Sequence, residues 1–104
     1  LLAMNNLAWM YAEEGMKLDR ARALSLRTVK KDEENVVYLD TYAEVLHRNG
    51  ETFRAVAIMR EALQIEGETG SQYLYRREQM EKFEAATKML PASRILQYAQ
   101  RNLR

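Results

Sequence analysis

Three side chains on one predicted helix could act together at a metal or catalytic centre. Asp40, Glu44 and His47 are spaced so that they share one helical face. Glu44 and His47 also have the Glu-x-x-His spacing of di-iron bundles, which require a second motif of this kind. His47 is the only histidine of the chain. We therefore predict no metal site, but a polar face on which an acid contacts the imidazole.

Other residues that could carry out catalysis occur in unsuitable patterns. Glu13-Glu14 and Asp32-Glu33-Glu34 supply the paired carboxylates that glycosidases use. They are adjacent in sequence and fall near predicted turns, where carboxylates are solvated and keep ordinary acidity. The chain has no cysteine, no nucleophile elbow and no glycine-rich phosphate loop. We predict no catalytic residue and no cofactor, and hence no enzyme.

A cluster of aromatic and basic residues offers weak support for nucleic-acid binding. Tyr73, Tyr75, Arg76 and Arg77 combine stacking rings with positive charge, as in single-strand binders. The net charge of the chain is only +1, so we predict packing for Tyr73, solvated arginines and no nucleic-acid partner. No apolar run approaches the ~18 residues that a membrane helix needs, so we expect no membrane insertion.

The composition favours helices throughout the chain. It is 47% hydrophobic with four glycines, and Pro91 is its only proline, so long helices can form without interruption. An internal repeat supports the same class. Gly15 and Gly50 lie 35 residues apart, and the residues around them correspond at offsets of 35 and then 34: Leu7 with Tyr42, Ala8 with Ala43, Ala21 with Ala55, and Leu24 with Ile58.

Each copy of the repeat is predicted to be a pair of antiparallel helices, over residues 1–31 and 35–65. Gly15 and Gly50 suit the left-handed position just beyond a helix C-terminus. Asn35 is a good N-cap for the second copy. Small Ala21 and Ala55 allow close approach of the paired helices.

Two further elements are predicted after the second copy. Thr69 with Gln72 forms a capping box for an amphipathic helix over residues 69–90, which Pro91 ends. Residues 91–104 form a short C-terminal helix, with Ile95, Leu96, Ala99 and Leu103 on one side.

Two segments of the chain resemble tetratricopeptide repeats of a bacterial style. They are Asn6–Gly15 with Ala21 and Leu24 behind, and Tyr38–Leu46 with Gly50, Ala55 and Ala62 behind. The resemblance implies an all-α fold of antiparallel hairpins, stacked as a right-handed solenoid and closed by the 69–90 capping helix. The proline that usually ends a repeat is missing near Glu33 and Gly67, and Ser25 and Thr28 are more polar than the family prefers. A generic antiparallel bundle is the alternative.

The resemblance also implies a protein–protein interaction module. First helices of successive hairpins would line a concave groove that receives a peptide or partner protein. Asp40 and Glu44 argue against an acidic C-terminus and favour a neutral or basic peptide. Trp9 is either a binding hot spot or packs against a neighbouring helix. The expected partner-binding residues are Asn5, Asn6, Trp9, Glu13, Asp40, Thr41, Glu44, His47 and Arg48.

The first residues suggest a contact between copies of the chain. Leu1, Leu2, Met4 and Leu7 are apolar from the start, which is typical of a segment of a longer protein. Large exposed apolar patches are rare on monomers, so we expect a homodimer that pairs two such edges. The alternative to peptide binding is therefore a spacer or self-association module with no separate ligand.

Overall fold

The chain forms five consecutive helices in the part that the structure describes. The computed structural model describes residues 1–89, and residues 90–104 lie outside this part. The helices are α1 (Leu2–Glu14), α2 (Leu18–Lys31), α3 (Val36–Arg48), α4 (Thr52–Glu66) and α5 (Tyr73–Thr87). Residues 1–89 contain no strand, so the predicted all-α class is confirmed. The helix predicted over 91–104 and the last residue of the 69–90 helix fall outside the described residues.

The first helix of each copy ends in the same way. Gly15 and Gly50 have φ angles of 64° and 82°, in the left-handed region that glycine adopts without a Cβ penalty. The next residue in each case donates its N–H to the carbonyl five positions back, Met16 to Tyr11 at 3.0 Å and Glu51 to Leu46 at 2.8 Å. These bonds define a Schellman motif. The sequence repeat is thus also a repeat of backbone structure.

Asn35 caps the second copy as predicted. Its Oδ1 accepts the N–H groups of Val37 and Tyr38 at 3.0 and 3.2 Å. These are two of the four amides that a helix start leaves without a backbone acceptor. The cap lets α3 begin directly after the short charged connection that follows Lys31.

The start of α5 differs from the prediction. The helix begins at Tyr73, and its N-cap Gln72 makes no side-chain capping bond, so the capping box at Thr69 is wrong. Glu66 replaces it, because its Oε1 accepts the Gln72 N–H at 2.9 Å. Backbone bonds from Gly70 to Gly67 and from Tyr73 to Gly70 occupy the intervening residues with turns.

Alanines and other small residues lie where the helices cross. Each helix packs against the next in the chain, and α1 also packs against α3. One buried cluster combines Ala8, Ala12 and Ala21 with Val45 of α3, and a larger one joins α3 and α4 to Phe83 of α5. Side chains this small let helix backbones approach closely.

Two polar residues of α2 are buried with their hydroxyl groups hydrogen-bonded. Ser25 and Thr28 are fully buried, and their hydroxyls donate to the carbonyls of Arg22 and Ser25 at 3.2 and 2.8 Å. Because their hydrogen bonds are made within the helix, burial leaves no donor unpaired.

Within residues 1–89, no helix is both long and apolar enough to cross a membrane.

A substitution at the α4 crossing tests this packing. Ala55 has no exposed surface, so Ala55→Leu should overpack the crossing and lower the free energy of unfolding by about 1–3 kcal/mol. Ala57 of the same helix is exposed, and Ala57→Leu should leave stability nearly unchanged. Urea unfolding followed by circular dichroism measures both. An equal effect of the two substitutions would contradict the packing described for α4.

Candidate partner-binding surface

Two rows of side chains occupy equivalent positions on α1 and α3. Asn5, Trp9 and Glu13 follow one another at four-residue intervals, and Asp40, Glu44 and Arg48 repeat this spacing 35 residues later. Residues four apart are neighbours on a helix surface, so each row runs along one face. Since α1 packs against α3, the two rows lie on neighbouring helices.

The α1 row passes from a buried amide to exposed side chains. Asn5 is only 4% exposed, and its Oδ1 has no hydrogen-bond partner among residues 1–89, which is uncommon for a buried polar atom. Trp9 is 36% exposed, so its ring combines a packed side with a solvent-facing side. Asn6 and Glu13 are exposed.

The carboxylates of the α3 row each lie near an arginine. Glu44 is mostly buried and accepts a hydrogen bond from Nε of Arg48 at 2.9 Å, one turn away. Asp40 Oδ2 lies 3.3 Å from Nε of Arg76 on α5. Thr41 is buried and Arg48 is exposed. Both acids are therefore partly neutralised, and only Arg48 presents an exposed charge along this row.

Arg76 holds three helices together through its guanidinium. It is only 5% exposed, which corrects the prediction that this arginine is solvated. One nitrogen lies near Asp40 of α3, and Nη1 donates to Glu66 Oε1 of α4 at 3.0 Å. A buried guanidinium needs such partners because its desolvation costs several kcal/mol.

Gly70 leaves the space that this arrangement requires. A Cβ at Gly70 would collide with Cγ and Cδ of Glu66 and lie 2.9 Å from the Glu66 carbonyl oxygen. The Glu66 side chain therefore passes directly over Gly70. From there it reaches both Gln72, at the start of α5, and Arg76.

Carboxylates on two other helices affect the pKa of Tyr75. Burial raises the pKa of Tyr75, and the charges of Asp40, Glu44 and Glu13 raise it further, whereas Arg76 lowers it. Its side chain is 45% exposed. We call the surface formed by Trp9, Glu13, Asp40, Glu44 and Tyr75 the acidic face. It extends across α1, α3 and α5.

The charge of Asp40 is destabilised despite its arginine partner. Burial raises the pKa of Asp40, and Glu44 raises it further, while the charge of Arg76 opposes them. The burial effect is the largest, because removing water disfavours the ionised carboxyl. Asp40 is therefore an acidic group that a further cation would stabilise.

His47 has other partners than the acid that we predicted for it. Its Nδ1 lies 3.1 Å from Oγ1 of Thr52, and its ring lies 4.8 Å from the ring of Phe83 on α5. Burial lowers the pKa of His47, Arg48 and Lys82 lower it further, and Glu44 opposes them. The imidazole is thus a neutral packing group between α3 and α5. In residues 1–89, no group of three or more His, Cys, Asp or Glu side chains is placed to hold a metal ion.

Two residues that shape this region, the buried Arg76 and the exposed Tyr75, were not among the expected partner-binding residues. Arg76 occupies an apolar row of α5 that contains Tyr73, Met80 and Phe83 at helical spacing, and a charge in such a row is a signal of a buried ion pair. Tyr75 has no comparable sequence signal, because its proximity to α1 and α3 depends on how α5 packs.

Comparison with known proteins found no similar protein. No family model, no curated protein and no solved structure matches this chain.

Replacement of Arg76 tests the buried ion pairs. Arg76→Met should leave Asp40 and Glu66 without their cation and lower the free energy of unfolding at pH 7 by about 2 kcal/mol or more. The pKa of Asp40 is already raised in the folded state, so protonation favours the folded state, and the loss should shrink as the pH falls toward about 4.

Arg77→Met is the matched control. Arg77 is exposed, and its ion pair with Glu81, at 3.3 Å, is exposed on both sides. Such pairs contribute about 0–1 kcal/mol. Thermal unfolding between pH 7 and about 4 measures the stability of both variants. A loss for Arg76→Met that stays constant with pH would contradict the role given to Asp40.

Proposed function

We propose that this chain is a non-enzymatic protein–protein interaction module of the tetratricopeptide type. Two observations support the repeat architecture. The Schellman motifs at Gly15 and Gly50 recur at the 35-residue offset, and the small residues of each copy are buried at the helix crossings. In a stack of such hairpins, α1, α3 and α5 are the first helices, and their shared face is the concave groove.

The acidic face is the observation that supports binding. Exposed aromatic rings next to polar groups are typical of interface hot spots, and Trp9 and Tyr75 provide such rings on α1 and α5. Three carboxylates act on Tyr75 from the same surface, against one arginine. A peptide segment with Lys or Arg side chains complements this charge, whereas an acidic segment is repelled.

Glu13 is the best-placed acid for such a partner. It is exposed, and no ion pair is found for it within residues 1–89. Asp40 and Glu44 already have arginine partners. A cationic side chain bound beside Trp9 would therefore pair with Glu13, and its charge would also favour the ionised form of Asp40.

Trp9 is both the residue to replace and the reporter. It is the only tryptophan of the chain, so its fluorescence follows binding of peptides selected from a random display library. We expect the selected peptides to be rich in Lys or Arg, and Glu replacements at these positions to abolish binding. Trp9→Ala should weaken binding by at least about 2 kcal/mol, roughly 30-fold in Kd, with unchanged circular dichroism. Fluorescence anisotropy of a labelled peptide measures the affinity of the variant.

Met10→Ala is the control for this experiment. Met10 is 46% exposed on the same helix, but it is not in the row of Asn5, Trp9 and Glu13. Its replacement should leave affinity unchanged. If Trp9→Ala binds as well as the original chain, the acidic face is not the binding surface. If it loses helicity instead, Trp9 has a packing role.

Self-association is a second candidate, because α1 exposes apolar side chains. Leu1, Leu2 and Met10 are 48%, 62% and 46% exposed. Leu7, which we had placed on this edge, is half-buried against the cluster around Ala8. If two copies pair through α1, light scattering should show a dimer that Leu2→Glu with Met10→Glu converts to monomer. A monomer at high micromolar concentration would exclude this candidate.

A further inference from the structure

The side chain of Asn49 connects the hairpin of α3 and α4 to the hairpin of α1 and α2. Asn49 is the C-cap residue of α3, and it is half-buried. Its Nδ2 donates to the carbonyl oxygen of Leu18, on α2, at 3.1 Å and to that of Val45, on α3, at 3.0 Å. Both hydrogens of this amide are therefore used. The contact between the hairpins at this point needs a side chain that donates and carries no charge.

Asn49 is also the only asparagine of the chain that precedes a glycine. In deamidation, the backbone nitrogen of the following residue attacks Cγ of the asparagine, and a glycine hinders this attack least because it has no Cβ. The Gly50 nitrogen loses its proton and bonds to Cγ, the Cγ–Nδ2 bond breaks, and Nδ2 takes up a proton and leaves as ammonia. Water then opens the succinimide ring. Attack at Cγ gives aspartate, and attack at the backbone carbonyl carbon gives isoaspartate.

Hydrogen bonds of the folded chain restrain both reacting groups. The Gly50 N–H donates to the carbonyl oxygen of His47 at 3.0 Å, and the carbonyls of Leu18 and Val45 hold the Asn49 amide. The ring can close only after these bonds open, so the reaction requires a locally open form of the turn. Gly50 is exposed, and local opening of a surface turn requires less free energy than global unfolding.

We propose that Asn49 is a deamidation site, and that its conversion permanently weakens the contact between the two hairpins. The ionised product has no hydrogen to donate to the carbonyls of Leu18 and Val45. Its negative charge lies at the C-terminus of α3, where the helix dipole disfavours it. Arg22, one turn after Leu18 on α2, offers little compensation, because it already donates to both carboxylate oxygens of Glu51. The turn therefore cannot close again with its original bonds.

Mass spectrometry of the full chain tests the reaction. The folded chain is incubated in mildly alkaline buffer, which favours loss of the proton from the attacking nitrogen, and is digested at acidic pH, which suppresses further reaction. We expect conversion at Asn49 and none over the same period at Asn6, which precedes Leu7. In guanidinium chloride, where the turn no longer restrains the amide, conversion at Asn49 should be at least about tenfold faster.

Two results of this experiment would overturn the proposal. The first is a folded chain in which Asn49 converts no faster than Asn6. The second is an equal rate at Asn49 in the folded and unfolded chains, which would mean that its hydrogen bonds do not hold the amide in place.

The stability of the product tests the effect on the fold. The deamidated chain, separated from the parent by ion exchange, and the variant Asn49→Asp should both unfold at a temperature lower by about 5 °C or more. Asn6→Asp is the matched control, because Asn6 is exposed on α1, and its midpoint should stay nearly unchanged. An unchanged midpoint for the separated product and for Asn49→Asp would overturn the proposal, and so would an equal loss for Asn6→Asp.

Discussion

The close approach of helix backbones at small residues is the constraint on which this structure depends. Alanine contributes little apolar area of its own, but it lets the larger side chains on either side of a crossing make many dispersion contacts. Ser25 and Thr28 serve at two of these positions because their hydroxyls bond within their own helix. The fully buried residues of this kind are Ala8, Ala12, Ala21, Ser25, Thr28, Ala43, Ala55 and Ala62. The polar surface is built on the helices that these crossings hold in place.

The position of α5 depends on a second, electrostatic constraint. Arg76 is buried between a carboxylate of α3 and one of α4, and Phe83 packs against His47. Apolar packing alone tolerates small shifts of a helix, whereas a buried guanidinium does not tolerate losing its partners. The ion pairs therefore add to the packing of Phe83 in fixing where α5 lies. The buried Arg76 thus influences the charge of Asp40 on the acidic face.

Features with a local cause could be predicted from the sequence, and those that depend on tertiary contacts could not. The helical class, the left-handed glycines and the Asn35 cap follow from residue types and spacing within a few positions. The capping box at Thr69 failed because Glu66 provides the acceptor from the previous helix. The burial of Arg76 and the partners of His47 involve residues of other elements. Asn5, Thr41 and Glu44 proved more buried than residues of an open groove, because burial depends on how α1 packs against α3 and on the neighbours that other helices supply.

The Glu66 side chain links positions that are far apart in the sequence. It passes over Gly70 and bonds Gln72 and Arg76, and Arg76 in turn pairs with Asp40. A side chain at Gly70 displaces Glu66, and a neutral residue at position 76 leaves two acids without a cation. A substitution at one of these sites consequently changes which substitutions the other sites tolerate. In any lineage that inherits this arrangement, positions 40, 66, 70 and 76 should vary together or stay fixed together, even where their neighbours diverge freely.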